Sequence, residues 1–127
     1  MLSVTGASDR ILGYRFCMIL PNANRAVVDI RKLRDYCLNL HYDEGKHKAR
    51  LFVAALEMTE KDAETLREIV LDAIKISEVQ VGRKDMFGQR YLVDFVAEWR
   101  NKKAVVQSGW LIEHQDDIPR LTTCYPI

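Results

Sequence analysis

Tyr91-Leu-Val-Asp-Phe-Val-Ala-Glu-Trp99 decides the fold. Tyr91, Val93, Phe95, Ala97 and Trp99 fall on one face of an extended chain, and Leu92, Asp94, Val96 and Glu98 on the other. A period of two with one apolar face belongs to a strand that covers a core. Toward the C-terminus, Asn101-Lys-Lys103 turns the chain into the β-forming stretch Ala104 to Glu113, and His114-Gln-Asp-Asp117 makes the next loop. Arg120 to Tyr125 is then the last strand, stopped by Pro126. Toward the N-terminus, Asp85-Met-Phe-Gly88 is a turn, preceded by Val79 and Val81 alternating with polar neighbours. Four strands joined by short loops make an antiparallel meander, because parallel neighbours need long crossovers.

Before Ser77 the period is 3.6. Thr59-Glu-Lys-Asp62 combines an N-cap residue with an acid three positions on, which predicts a helix running to about Ile76 and burying Leu66, Ile69, Val70, Ala73 and Ile74. Gly45-Lys-His-Lys-Ala-Arg50 opens another helix, with Ala49, Phe52, Val53 and Leu56 as its apolar stripe. Asp29 caps a helix to about Asn39, whose Ile30, Leu33, Cys37 and Leu40 form a buried stripe at helical spacing. Leu12 to Leu20 reads as a short strand that stops at Pro21-Asn22. The expected architecture is therefore α+β: a short N-terminal strand, about three helices, then the meander packed against them. Met1 to Ile11 reads as an N-terminal extension and residues 12–127 as one domain.

Composition excludes several classes. The 127 residues are 48% hydrophobic, ordinary for a globular chain and far from the disordered class. Lys and Arg total 19 against 18 Asp and Glu, so any attraction to nucleic acid has to come from a local patch. Three scattered cysteines, Cys17, Cys37 and Cys124, fit neither a disulfide framework nor paired zinc ligands, so no metal and no cofactor is expected. The start lacks a basic then apolar signal, and no apolar run is long enough for a membrane span, which predicts a cytoplasmic protein with no membrane partner.

The strongest local charge cluster is Lys46, His47, Lys48 and Arg50, at a helix start where backbone N–H groups favour anions. Its alternative reading is a solvated helix face beside Asp43 and Glu44. His47, with an ordinary pKa of ~6.5, is a candidate proton carrier, although it points almost opposite the apolar stripe. In the last strand Arg120, Thr122 and Cys124 share one face, and an Arg with hydroxyls at a strand end can hold a phosphate. The other reading is a half-buried edge strand. No Gly-rich phosphate loop, nucleophile elbow or His-Glu-x-x-His is present.

Leu20-Pro-Asn-Ala23, Asp29-x-x-Lys32-Leu33-x-x-Tyr36-x-Leu38-Asn39 and Gly45-x-x-Lys48-Ala-Arg-x-Phe52 resemble the first half of a family of small bacterial domains with no assigned activity. Phe87-Gly-Gln-Arg90-Tyr91-x-Val93-Asp94, Ser108-Gly-Trp110 and Pro119-Arg-Leu-Thr-Thr-Cys-Tyr125 are similar to its second half, so the likeness spans about Ile19 to Tyr125. Domains of that family also occur at the ends of large secreted toxins. More loosely, helices followed by a four-stranded antiparallel sheet resemble the barnase–EndoU–colicin–RelE group of metal-independent ribonucleases. That resemblance implies RNA as substrate and a cognate protein of the immunity or antitoxin type as partner. It also implies that Lys48, Arg90, Arg120, Thr122 and Tyr125 surround the scissile phosphate, with His47 or Tyr125 moving protons. One departure is Gln107, where related sequences resemble Arg. The alternative reading of the whole domain is a non-catalytic binding or regulatory module for another bacterial protein, favoured by the near-neutral charge and the missing catalytic pair.

Overall fold

The computed structural model describes residues 18–43 and 45–127. The extension Met1 to Ile11, and most of the strand expected from Leu12, lie outside the described residues. The described end of that strand, Met18 to Leu20, is irregular, and the Met18 carbonyl accepts a hydrogen bond from Val79 N–H at 2.8 Å.

The expected meander is present. Strands β1 (Val79–Asp85), β2 (Gly88–Trp99), β3 (Lys102–Glu113) and β4 (Arg120–Pro126) form one antiparallel sheet in chain order. Tight connections allow this order, because each strand pairs with the one just made. The register puts Val93 opposite Ser108 and Ser108 opposite Cys124, so these residues face inward. Phe95, Ala97, Val106 and Trp110 are buried on the same side.

Helices cover that inner face. Helix α1 (Lys46–Leu56) buries Ala49, Phe52 and Leu56, while α2 (Ala63–Ala73) buries Ala63, Leu66 and Val70, with Ile74 just beyond its end. The cap expected before α2 is complete: Thr59 N–H donates to Asp62 at 3.0 Å, and a short 3-10 turn, Glu60–Asp62, leads into the helix. Val53 departs from its expected place in the α1 stripe and is exposed, because the sheet is reached from the Ala49, Phe52 and Leu56 side.

The first helical segment differs more. Asp29 does cap it, accepting from Arg31 N–H at 3.0 Å, but Lys32–Cys37 winds as a π-helix. Leu38 N–H donates to the Leu33 carbonyl at 2.8 Å, a five-residue step. The wider turn rotates the buried face, so Leu33, Cys37 and Leu38 are buried while Leu40, expected inside, is exposed. A parallel bridge between Val27 and Arg120 ties the run before this segment to β4.

The Ser108-Gly-Trp110 signature is resolved by packing. Trp110, only 1% exposed, donates its indole N–H to Ser108 Oγ at 2.9 Å, and Ser108 donates onward to the Val93 carbonyl at 2.8 Å. Ser108 is the hydroxyl that makes a buried indole affordable. Of the aromatic stripe expected in the core, Phe95 is buried and Tyr91 and Trp99 are half-buried against it.

Candidate phosphate-binding cleft

The local sequence brings the π-helix and α1 close together. A Cβ on Gly45 would lie 2.1 Å from the Tyr36 carbonyl oxygen, so only glycine permits this approach at the start of α1. The Tyr36 and Tyr42 rings pack edge to face, 5.4 Å apart at 66°. One turn into α1, Lys48 reaches over the edge of β4. Its ammonium is 5.4 Å from the Tyr36 ring centroid and 5.5 Å from that of Tyr125. Two ring faces thus hold the cation, an attraction worth ~0.5–2 kcal/mol per contact. Among the described residues no carboxylate forms an ion pair with Lys48.

Beside this clasp lies a cleft of about 620 Å³, walled by Asp29, Lys32, Tyr36 and Tyr42 on the helical side and by Thr122 of β4. The charges there are partly spent. Arg31 grips Asp29 at 2.8 Å and holds its carboxyl well below the usual range, at about 2, and Arg34 contacts Asp35 at 3.0 Å. Lys32 remains as a cation lining the cleft, with phenols and a threonine hydroxyl around it, and Lys48 sits over the ring of the wall residue Tyr36. Beneath Lys48, Cys37 and Cys124 are fully buried. Burial pushes the Cys37 thiol up to about 11 and that of Cys124 well above its ordinary value, so neither supplies a thiolate near neutral pH.

Of the residues selected from sequence, Lys48 and Tyr125 come together at the β4 edge, and Thr122 lines the cleft beside them. Tyr125 donates its hydroxyl hydrogen to Gln107 Oε1 at 3.1 Å, so Gln107 orients the phenol. Arg90 and Arg120 lie elsewhere, in one cross-strand row either side of Leu111. Each has a carboxylate: Arg90 contacts Asp85 at 2.7 Å, and Arg120 contacts Glu113 at 3.9 Å. His47 is exposed on α1. Sequence reasoning missed Tyr36, Lys32 and Tyr42 as wall residues; Lys32 and Tyr36 stand four apart, at helical spacing on one side of the segment, while nothing in the sequence signals Tyr42. Among the described residues no group of three or more His, Cys, Asp or Glu is placed to hold a metal, and no helix is long and apolar enough to cross a membrane.

No curated protein and no solved structure matches the chain. Residues 19–127 match the family described as Domain of unknown function (DUF6883), close to the span over which the family likeness was expected, and the chain belongs to that family.

Proposed function

We propose that the domain is a metal-independent ribonuclease, of the kind carried by bacterial toxins, with the cleft beside Lys48 as its phosphate site. The observation that carries this reading is the Lys48 ammonium clasped between Tyr36 and Tyr125, a cation without a carboxylate partner among the described residues, beside a cleft that Tyr36 and Thr122 both line. In such a reaction the 2′-hydroxyl of RNA attacks phosphorus, the bond to the 5′-oxygen breaks, and a 2′,3′-cyclic phosphate and a 5′-hydroxyl result. The protein then supplies a base for the 2′-proton, an acid for the leaving oxygen and cations for the phosphate oxygens. Lys48 and Lys32 take the last part, Thr122 donates to a phosphate oxygen, and Tyr125, on β4 beside the ammonium, is the first proton carrier. His47 is assigned the second proton carrier, reached by substrate lying along the exposed start of α1. Arg90 and Arg120 contribute to the backbone path of a longer RNA.

A second reading, a non-catalytic module that binds RNA or a cognate protein, is favoured by the carboxylates that occupy Arg90 and Arg120 and by the exposure of His47. Incubation of the purified domain with total RNA and tRNA in EDTA separates the two. Cleavage that Lys48→Met abolishes supports the ribonuclease. RNA retained but intact, with expression harmless to cells, supports the binding module instead.

A further inference from the structure

Most of the charge on the helical wall of the cleft cancels locally. Both carboxylate oxygens of Asp29 accept from the Arg31 guanidinium, at 3.1 and 2.8 Å, and both of Asp35 accept from Arg34, at 3.0 and 3.5 Å. What the wall has left is the cation Lys32 and the phenol rings of Tyr36 and Tyr42. Tyr36 is half-buried and carries the Lys48 ammonium over its ring. Tyr42 is the open one, 41% exposed.

The Tyr42 ring is open but held in place. It packs edge to face on Tyr36, and it lies so close to Gly45 that even a Cβ there would come within 3.2 Å of Tyr42 Cδ2. The Tyr42 carbonyl accepts from Gly45 N–H at 3.0 Å and Lys46 N–H at 2.8 Å, which ties its backbone to the start of α1. A ring fixed beforehand loses little side-chain freedom when a ligand lands on it. Lys48 and Tyr42 each lie 5.4 Å from the centroid of the one Tyr36 ring, so a cation and an open aromatic surface are one nucleotide's reach apart. The cleft of about 620 Å³ falls within the ~300–1,000 Å³ usual for small-ligand sites, room enough for a base beside its phosphate. A base reaches such a ring only when it is out of a helical stack, because A-form duplex keeps its bases paired. Every base has a π face, so the ring accepts any of them.

The geometry points to Tyr42 as the platform for one unpaired base of the RNA whose phosphate the Lys48 cleft takes, which makes the substrate class single-stranded RNA of any sequence; it rests on the RNA reading above and deepens it. Fluorescence anisotropy with three ligands of equal length tests it: a single-stranded RNA, its duplex, and a phosphodiester strand without bases. The wild type binds the single strand about 5- to 100-fold tighter than the baseless strand, the range for one stacked base, and prefers it to the duplex. Tyr42→Leu removes most of that difference and Tyr42→Phe keeps it. Neither changes the slope of log affinity against log salt, since stacking releases no counterions. Equal affinity of the wild type for the single strand and the baseless strand overturns the assignment, and so does a Tyr42→Leu protein that binds like the wild type. In either case a loss of binding in Lys48→Met leaves the phosphate cleft standing. Failure of the wild type to bind any of the three ends the RNA reading itself, and the assignment with it.

Discussion

Lys48 holds its ammonium 5.5 Å from the ring centroid of Tyr125, so one cation belongs at once to the second helical segment and to the last strand. The pair is an energetic coupling as well as a candidate site. A double-mutant cycle with Lys48→Met and Tyr125→Leu, read by urea unfolding, gives a coupling of about 0.5–2 kcal/mol. Strictly additive single changes would reject the contact.

The same cation governs the response to salt if RNA is the ligand. Binding of single-stranded RNA weakens as salt rises, and Lys48→Met reduces the slope of log affinity against log salt by about 0.7, the value for one phosphate contact. His47→Gln, at a position exposed on α1 away from the clasp, leaves that slope unchanged at pH 8. Fluorescence anisotropy at four salt concentrations distinguishes the two variants.

The π-turn makes a prediction that helical spacing would invert. Leu38 is 2% exposed and Leu40 is 43% exposed. Leu38→Ala therefore costs about 2–5 kcal/mol, while Leu40→Ala stays within about 0.5 kcal/mol. Equal losses would mean that the segment is an ordinary α-helix in solution.

Acid stability follows from Asp85. The Arg90 guanidinium, first, and the Phe87 N–H hold its carboxyl at about 2, below the ordinary 3.8. A carboxyl depressed by folding contributes stability that is fully present above its unfolded pKa and is lost as pH falls through the folded value. The wild type thus outlasts Asp85→Asn at pH 5, and the gap closes between about pH 4 and pH 2. Thermal unfolding across that range decides it; a gap that widens on acidification contradicts the ion pair.

Ser108 tests the link between the indole and the sheet. Ser108→Ala leaves the buried Trp110 N–H without its acceptor and costs about 1–3 kcal/mol, whereas removal of an exposed hydroxyl costs far less. Urea titration followed by tryptophan fluorescence gives the value.

The sheet was legible in the sequence because its signal is local: alternation from Tyr91 to Trp99 survives any tertiary context, and each turn is short. The Thr59 to Asp62 cap was legible for the same reason. The Leu33 to Leu38 step was not, because Leu40 satisfies ordinary helical spacing equally well and only packing against the sheet selects the wider turn. For the candidate site, Lys48, Thr122 and Tyr125 could be named from family likeness, yet the contact of Lys48 with Tyr125 and the cleft lined by Thr122 depend on how the π-helix docks against β4. The carboxylates that occupy Arg90 and Arg120 depend in turn on strand register, which no local pattern in the sequence reveals.

The parallel bridge between Val27 and Arg120 has a bearing on how the protein is made. Helices and the first three strands can assemble from neighbours as the chain leaves the ribosome, since each strand meets the one before it. The clasp at Val27, and with it the Tyr125 wall beside Lys48, must wait for β4 to be made. A chain shortened before β4 therefore carries the basic helix α1 without the Tyr125 wall, so the clasp around Lys48 exists only once β4 has joined the sheet.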